Sequence, residues 1–484
     1  MSPADRPAAT ARPAPSPDVL ERMRAIVGPR GWRDDPAMMA PHLKEWRGLW
    51  TGHTPAVVMP GSTDEVAAVV GLAAEAGIAI IPQGGNTGLV GGGVPSEDGT
   101  ELLVSLARMN RIRDIDPAGG SMIAEAGCIL ADVQTAAAEA GRLFPLSLAS
   151  EGSARIGGLI STNAGGVHVL RYGSMRDLVL GLEVVLPDGR IWNGLRRLRK
   201  DNTGYALRHL FAGAEGTLGI ITAAALTLAP MPRHRAAAFV ALPSADAALD
   251  LFARARDHAG DLLEAFELIN ATPLGFALRH LPGMMHPLPS AEGPWFVLIE
   301  LAGPIPLDDL LEGLLAEALE AGMVEDAALA RSEAQRHGFW SLREGLSEAQ
   351  KHEGASIKHD VSVPVSDVPA LITRGTALVL SIVPGARLCP FGHMGDGNIH
   401  FNVSRPLDMS DQDFLARWDE IAHAVHDLVA ELGGSFSAEH GVGRLKTADL
   451  RRYRSAVEVG LMERLKRVID PAGIMSPGRV LDRS

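Results

Sequence analysis

The sequence predicts an α+β protein of two domains, and three observations carry that prediction. From Pro55 the chain reads as strand, helix and strand: Pro55–Pro60 is apolar, Ser62-Thr63-Asp64-Glu65 is a capping box, and Gly77 stops the helix before the apolar run Ile78–Ile81. Pro230 and Pro232 then punctuate the chain. Beyond them, strand-like segments (Ala236–Leu242, Leu263–Ile269, Trp295–Leu301, and the neighbourhood of Val361) alternate with amphipathic helices such as Ser244–His258 and Leu307–Ala321. That alternation describes helices covering a mainly antiparallel sheet. The expected organisation is a disordered arm over residues 1–16, a first domain over 17–230 and a second over 231–484. The arm is rich in Pro and Ala and lacks the apolar core of a signal peptide. Within the first domain a helix is expected at Ala131–Ala140. Leu178–Leu186 and Arg190–Trp192 form a hairpin about Pro187-Asp188-Gly189, and Gly219–Leu228 is a strand. From Asp411 onward the chain reads as helical.

Composition narrows the function. The 484 residues are 46% hydrophobic and 21% charged, as in a globular protein. A net charge of −13 argues against nucleic-acid or membrane-surface binding. Two cysteines, Cys128 and Cys389, give neither a disulfide framework nor a cysteine zinc site, so a reducing, cytoplasmic setting is expected. No apolar stretch is expected to approach the roughly 18 residues of a membrane span. The 53 glycines are clustered rather than spread.

Three clusters matter: PQGGNTGLVGGGVP (Pro82–Pro95), GSARIGGLISTNAGG (Gly152–Gly166) and GAEGTLGIIT (Gly213–Thr222). Glycine-rich loops let a backbone approach a ligand closely and turn N–H groups toward phosphate oxygens. The first has no lysine, which excludes a P-loop, and it does not open a helix, which excludes a dinucleotide fingerprint. A diphosphate held mainly by backbone remains. The three segments resemble those that contact flavin in the FAD-linked oxidase family, which shares its FAD fold with vanillyl-alcohol oxidase. The resemblance implies FAD binding by Pro82, Gly84, Gly85, Asn86, Thr87, Gly88 and Leu89; by Gly152, Ser153, Ile156, Gly157, Gly158, Thr162, Asn163, Gly165 and Gly166; and by Glu215, Gly216, Gly219, Ile220 and Ile221. Asn86 and Thr87 stand where some relatives attach FAD through a histidine, so the cofactor is expected to be noncovalent. The chain ends in DPAGIMSPGRVL, with Ser476 and Arg479 where the family usually has Asn and Lys.

FGHMGDGNIHFNV (Phe391–Val403) reads as a hairpin about a two-residue Asp396-Gly397 turn. That register sets His393 opposite His400, with Cβ atoms about 4.5–5.5 Å apart, and turns Asn402 to the same face. AEHGVG (Ala438–Gly443) adds an acid and a third histidine. Two histidines and a carboxylate with an open position form a catalytic zinc set, and manganese suits the same donors. These motifs are similar to those of the D-2-hydroxyacid dehydrogenases of the family, above all the D-2-hydroxyglutarate dehydrogenases. The resemblance implies metal ligands His393, His400 and Glu439, a catalytic base at His440, and substrate contact by Asn402 and His440.

FWSLREGLSEAQKHEGASIKHDVSVP (Phe339–Pro364) places Arg343 and Ser347 four apart on a helix, with Lys358 on the next strand. Arg, hydroxyl and Lys together suit a carboxylate; ion pairs with Glu344 and Glu348 would serve equally well for a solvated face. The resemblance implies that Arg343, Ser347 and Lys358 bind substrate.

The expected activity is FAD-dependent oxidation of a D-2-hydroxy acid, D-2-hydroxyglutarate or a similar dicarboxylate, with D-lactate or glycolate as the alternative substrate. With no NAD fingerprint, electrons pass to a separate acceptor: an electron-transfer flavoprotein, a quinone or another carrier. A homodimer is compatible with the sequence. A zinc hydrolase would leave the glycine segments without work, and a flavin-binding sensor would leave the His, Glu, Arg and Lys residues without work.

Overall fold

The computed structural model describes residues 14–291 and 293–482, and it divides into two compact units. The first unit holds the chain up to Gly165, then Gly173–Met231 and Glu439–Ser484; the second holds Gly166–Tyr172 and Pro232–Ala438. Most of the arm expected over residues 1–16 lies outside the described residues. Ser16 itself caps the helix Pro17–Val27.

In the first unit, a four-stranded sheet runs in the spatial order Trp32–Arg33, Val57–Val58, Glu101–Ser105, Ala79–Gln83. Val57–Val58 and Ala79–Gln83 lie parallel to Glu101–Ser105. Between Val57–Val58 and Ala79–Gln83 the chain forms the helix Thr63–Ala76, which Gly77 ends in the left-handed conformation (φ 66°). Only half of the expected capping box forms. Ser62 Oγ accepts the Glu65 N–H, but the Glu65 carboxylate reaches back one residue further, to the N–H of Gly61 at 2.7 Å. A five-stranded antiparallel sheet follows, in the order Ile112–Asp116, Ser121–Glu125, Ile220–Thr227, Val179–Val185, Ile191–Gly194. The last two strands form the hairpin expected about Pro187-Asp188-Gly189.

The second glycine cluster is not a loop. Residues Ile156–Thr162 form a short helix, ended by Asn163 in the left-handed region. Its glycines serve packing: a Cβ at Gly157 would sit 2.7 Å from the Ala126 side chain. Tertiary contact outweighs the poor helix propensity of glycine here.

The second unit is one antiparallel sheet in the order Asp326–Leu329, His234–Leu242, Trp295–Gly303, Leu263–Asn270, Arg387–His393, Asn398–Ser404, Ser356–Ile357, with Asp360–Ser362 also pairing to Asn398–Ser404. The expected helices are present as Ala245–Ala259 and Asp308–Glu320. Leu251, Leu311 and Leu315 bury their sides against Val240, Phe266 and Ile299. One segment corrects the reading of membrane character: Val365–Ile382 is long and apolar enough to cross a bilayer, with a mean hydropathy of 1.3. Within this unit it contributes Val368, Leu371, Ile372 and Val379 to the core.

Candidate active site

The hairpin carrying the two histidines has a different register from the expected one. His393 pairs with Asn398, and Phe391 pairs with His400. The turn is four residues long: Met394–Asp396 form a 3₁₀ turn and Gly397 takes the left-handed conformation (φ 81°). Asp396 Oδ1 accepts the Asn398 N–H, and this Asx contact favours the longer loop over a two-residue turn. Because the register differs by two, His393 and His400 still share a face. They are diagonal neighbours, with ring centroids 5.7 Å apart.

A carboxylate on an adjacent strand hydrogen-bonds one imidazole, and a second carboxylate lies near the other. Glu267 Oε1 lies 2.8 Å from His393 Nδ1. Asp360 Oδ1 lies 3.9 Å from His400 Nδ1, on the strand whose Asp360 pairs directly with His400. Burial pushes the Glu267 carboxyl up, but His393 and Arg343 outweigh it and hold the group at about 2. An ionised carboxylate only accepts, so His393 Nδ1 carries a proton toward Glu267 and Nε2 is the nitrogen left to face a metal. That is how protein carboxylates orient metal-binding histidines. The donor set of the second unit therefore fits a divalent cation.

Arg343 already has a protein carboxylate as its partner. It is buried on the helix Glu333–Ala349, donates through Nε to Glu267 Oε2 at 2.8 Å, and lies over the Phe391 ring at 5.0 Å. Its partner is thus Glu267, and not Glu344 or Glu348. One helical turn on, Ser347 is exposed, and Lys358 Nζ reaches its carbonyl oxygen at 3.5 Å. Asn402, expected against substrate, is buried; its amide donates to Gln350 Oε1 at 3.0 Å, and Gln350 donates to Ser404 Oγ at 2.9 Å. Sequence reasoning missed Glu267. The signal was present in LEAFELIN (Leu263–Asn270), an apolar strand-like run that nevertheless carries two carboxylates.

In the first unit the glycine segments present backbone, as expected for a cofactor cradle. The N–H groups of Gly84 through Leu89 donate to no acceptor among the described residues. A run of unspent donors in a half-buried loop is what a diphosphate needs, so the residues fit FAD. The loop is held from behind: Asn86 Nδ2 donates to the carbonyls of Pro41 and Lys44, and Gln83 Nε2 donates to Gly93 O and His42 O. Gly84 faces Gly158, with room for a Cβ only at ordinary contact distance.

The third segment does something the sequence did not reveal. The Glu215 carboxylate accepts the N–H groups of Val442 and Gly443 at 2.7 and 2.8 Å. Enclosure of that carboxylate raises its pKa, against the pull of the two N–H groups. The segment that begins with Glu439 and His440 is further tied to the first loop, where Arg444 N–H donates to Val90 O at 2.9 Å, and to the C-terminal stretch, where Val480 N–H donates to Gly443 O at 2.9 Å. Ser476 donates its N–H to Ile80 O, and Arg479 is buried in a bidentate pair with Glu101 (2.7 and 2.8 Å). The two departures from the family ending are structural contacts in this unit.

Comparison with known proteins agrees with this picture. Residues 231–480 match the model of the FAD linked oxidases, C-terminal domain, and residues 54–194 match an FAD binding domain. The chain is 37% identical to a D-2-hydroxyglutarate dehydrogenase of Xanthomonas citri pv. viticola, over 96% of this chain and 97% of that one. It is 37% identical to the mitochondrial D-2-hydroxyglutarate dehydrogenase of Arabidopsis thaliana, over 95% and 81% of the two chains. Among solved structures it is similar to p-cresol methylhydroxylase with a TM-score of 0.75 at 17% identity, covering 96% of each chain, which establishes the vanillyl-alcohol oxidase type of fold.

Proposed function

This chain belongs to the FAD-linked oxidase family, and we propose that it oxidises a D-2-hydroxy acid, D-2-hydroxyglutarate or a similar dicarboxylate, to the 2-oxo acid. The observation that carries the reading is the Glu267 carboxylate, which joins His393 to Arg343; in this reading these are a metal ligand and a substrate-binding cation.

In this reading Arg343, Ser347 and Lys358 recognise the substrate's carboxylates. Lys358 is the least enclosed of the cations and adapts to the distal one. His393, His400 and Glu439 would hold a divalent cation, zinc first and manganese as the alternative. His440 takes the hydroxyl proton, since an imidazole is matched to neutral pH. The cation supplies stabilisation of developing negative charge on the substrate oxygen, and FAD, bound noncovalently by the glycine segments, supplies the hydride acceptor. A separate carrier then takes the electrons. A reducing, cytoplasmic setting belongs to the same reading.

The test is an anaerobic titration of the purified flavoprotein with D and L enantiomers of 2-hydroxyglutarate, lactate and malate, together with glycolate, following flavin absorbance. Bleaching by D-2-hydroxyglutarate at the lowest concentration supports the reading. Preferential bleaching by D-lactate or glycolate moves the substrate, and bleaching by the L enantiomers alone overturns it.

A further inference from the structure

We propose that Glu215 is a positioning residue for His440, acting through the backbone of the segment that follows it. The inference rests on the proposed role of His440 as base and names what holds that base in place.

Glu215 is acidic and precedes a glycine in a segment that otherwise reads as cofactor cradle, yet its carboxylate is directed at protein. Both oxygens are engaged, each by one N–H of consecutive residues, Val442 and Gly443. One rigid carboxylate thereby fixes two successive peptide planes, beginning two residues beyond His440. The surroundings are shaped for this contact. Glu215 itself sits at φ 50°, a conformation that side-chain-bearing residues rarely adopt, and its N–H is held by Ser161 O at 2.8 Å. Gly441 adopts φ 78°, and a Cβ there would lie 2.7 Å from Glu215 Oε1. Gly443, at φ 50°, lies so close to Val90 that a Cβ would overlap its carbonyl oxygen. The segment is thus pinned between the third and first glycine clusters, with a two-point hydrogen-bonded fork as the polar fastening. A base displaced by about 1 Å loses on the order of 10²-fold in rate, so the fork governs proton removal without touching substrate.

The experiment is rapid-mixing reduction of the holoenzyme by D-2-hydroxyglutarate, with bound flavin and the apparent substrate Kd measured in parallel. Glu215→Gln keeps the shape but presents an amide N–H₂ to one of the two N–H groups. It is expected to reduce roughly 10- to 10²-fold more slowly, with flavin content and substrate Kd unchanged. In a His440→Ala background it is expected to add no further loss, because two residues acting through one group are not additive. Gly441→Ala, which pushes a methyl group into the same carboxylate, is expected to give the same slow reduction, and it serves as the test if Glu215→Gln fails to fold. Wild-type reduction rates in both variants overturn the proposal. So does an additional loss of equal size in the His440→Ala background, or loss of flavin from Glu215→Gln. If His440→Ala itself reduces at the wild-type rate, the reading of His440 as base fails first, and that result is distinct from the others.

Discussion

Glu267 and His393 are directly paired across adjacent antiparallel strands, and the carboxylate lies 2.8 Å from Nδ1 of the ring. The same carboxylate receives Arg343, so one buried side chain orients both a candidate metal ligand and a candidate substrate cation. Glu267→Gln removes the negative charge beside His393 Nδ1 and replaces an acceptor-only carboxylate with an amide that no longer dictates the tautomer. Metal affinity is expected to fall about 10- to 100-fold, read as the chelator concentration that strips half the metal from the holoprotein. An unchanged stripping curve would show that the orientation does not matter.

Arg479 and Glu101 form a bidentate pair with both side chains buried. Arg479→Ala leaves Glu101 charged and without its cation, which is expected to cost roughly 3–5 kcal/mol. Equilibrium unfolding of the variant checks this; a loss below about 1 kcal/mol, the scale of an exposed pair, would contradict it.

The backbone of Gly85 passes so close to Ser153 that a Cβ would overlap the Ser153 carbonyl oxygen. Gly85→Ala is therefore expected to displace the first loop and lower bound flavin, measured as the ratio of flavin to protein absorbance after gel filtration. Full flavin occupancy would show that the loop accommodates the methyl group.

Acid stability depends on Glu183. Burial pushes its carboxyl up, but Arg113, Thr63 and Thr222 outweigh burial and hold it below its ordinary 4.5. A depressed pKa means that the unfolded chain binds the proton more readily. The stabilisation is complete above the ordinary value and is lost as pH falls through the depressed one. The stability advantage of wild type over Glu183→Gln should therefore be constant at neutral pH and shrink on acidification below about pH 4.5. An advantage that grows with acidification would contradict the sign.

Much of this was legible in the sequence, because period and punctuation are local. The hairpin about Asp188-Gly189 and the strands Ala236–Leu242 and Trp295–Leu301 needed no tertiary information. What stayed hidden depends on contacts far apart in sequence. Ile156–Thr162 is helical because Gly157 packs on Ala126, which glycine content alone argues against. The His393 hairpin closes on Asn398 because Asp396 caps its own loop. The partner of Arg343, a helical residue, lies 76 residues away on a strand, where local charge spacing offered Glu344 and Glu348 instead. Glu215 meets its amides across 227 residues. In each case the residue type was visible and its partner was not.

The most direct test of the central claim is the anaerobic reduction rate of the His440→Ala holoprotein with saturating D-2-hydroxyglutarate. Full flavin occupancy is expected, with reduction slowed by about 10²-fold or more. Reduction at the wild-type rate would contradict it.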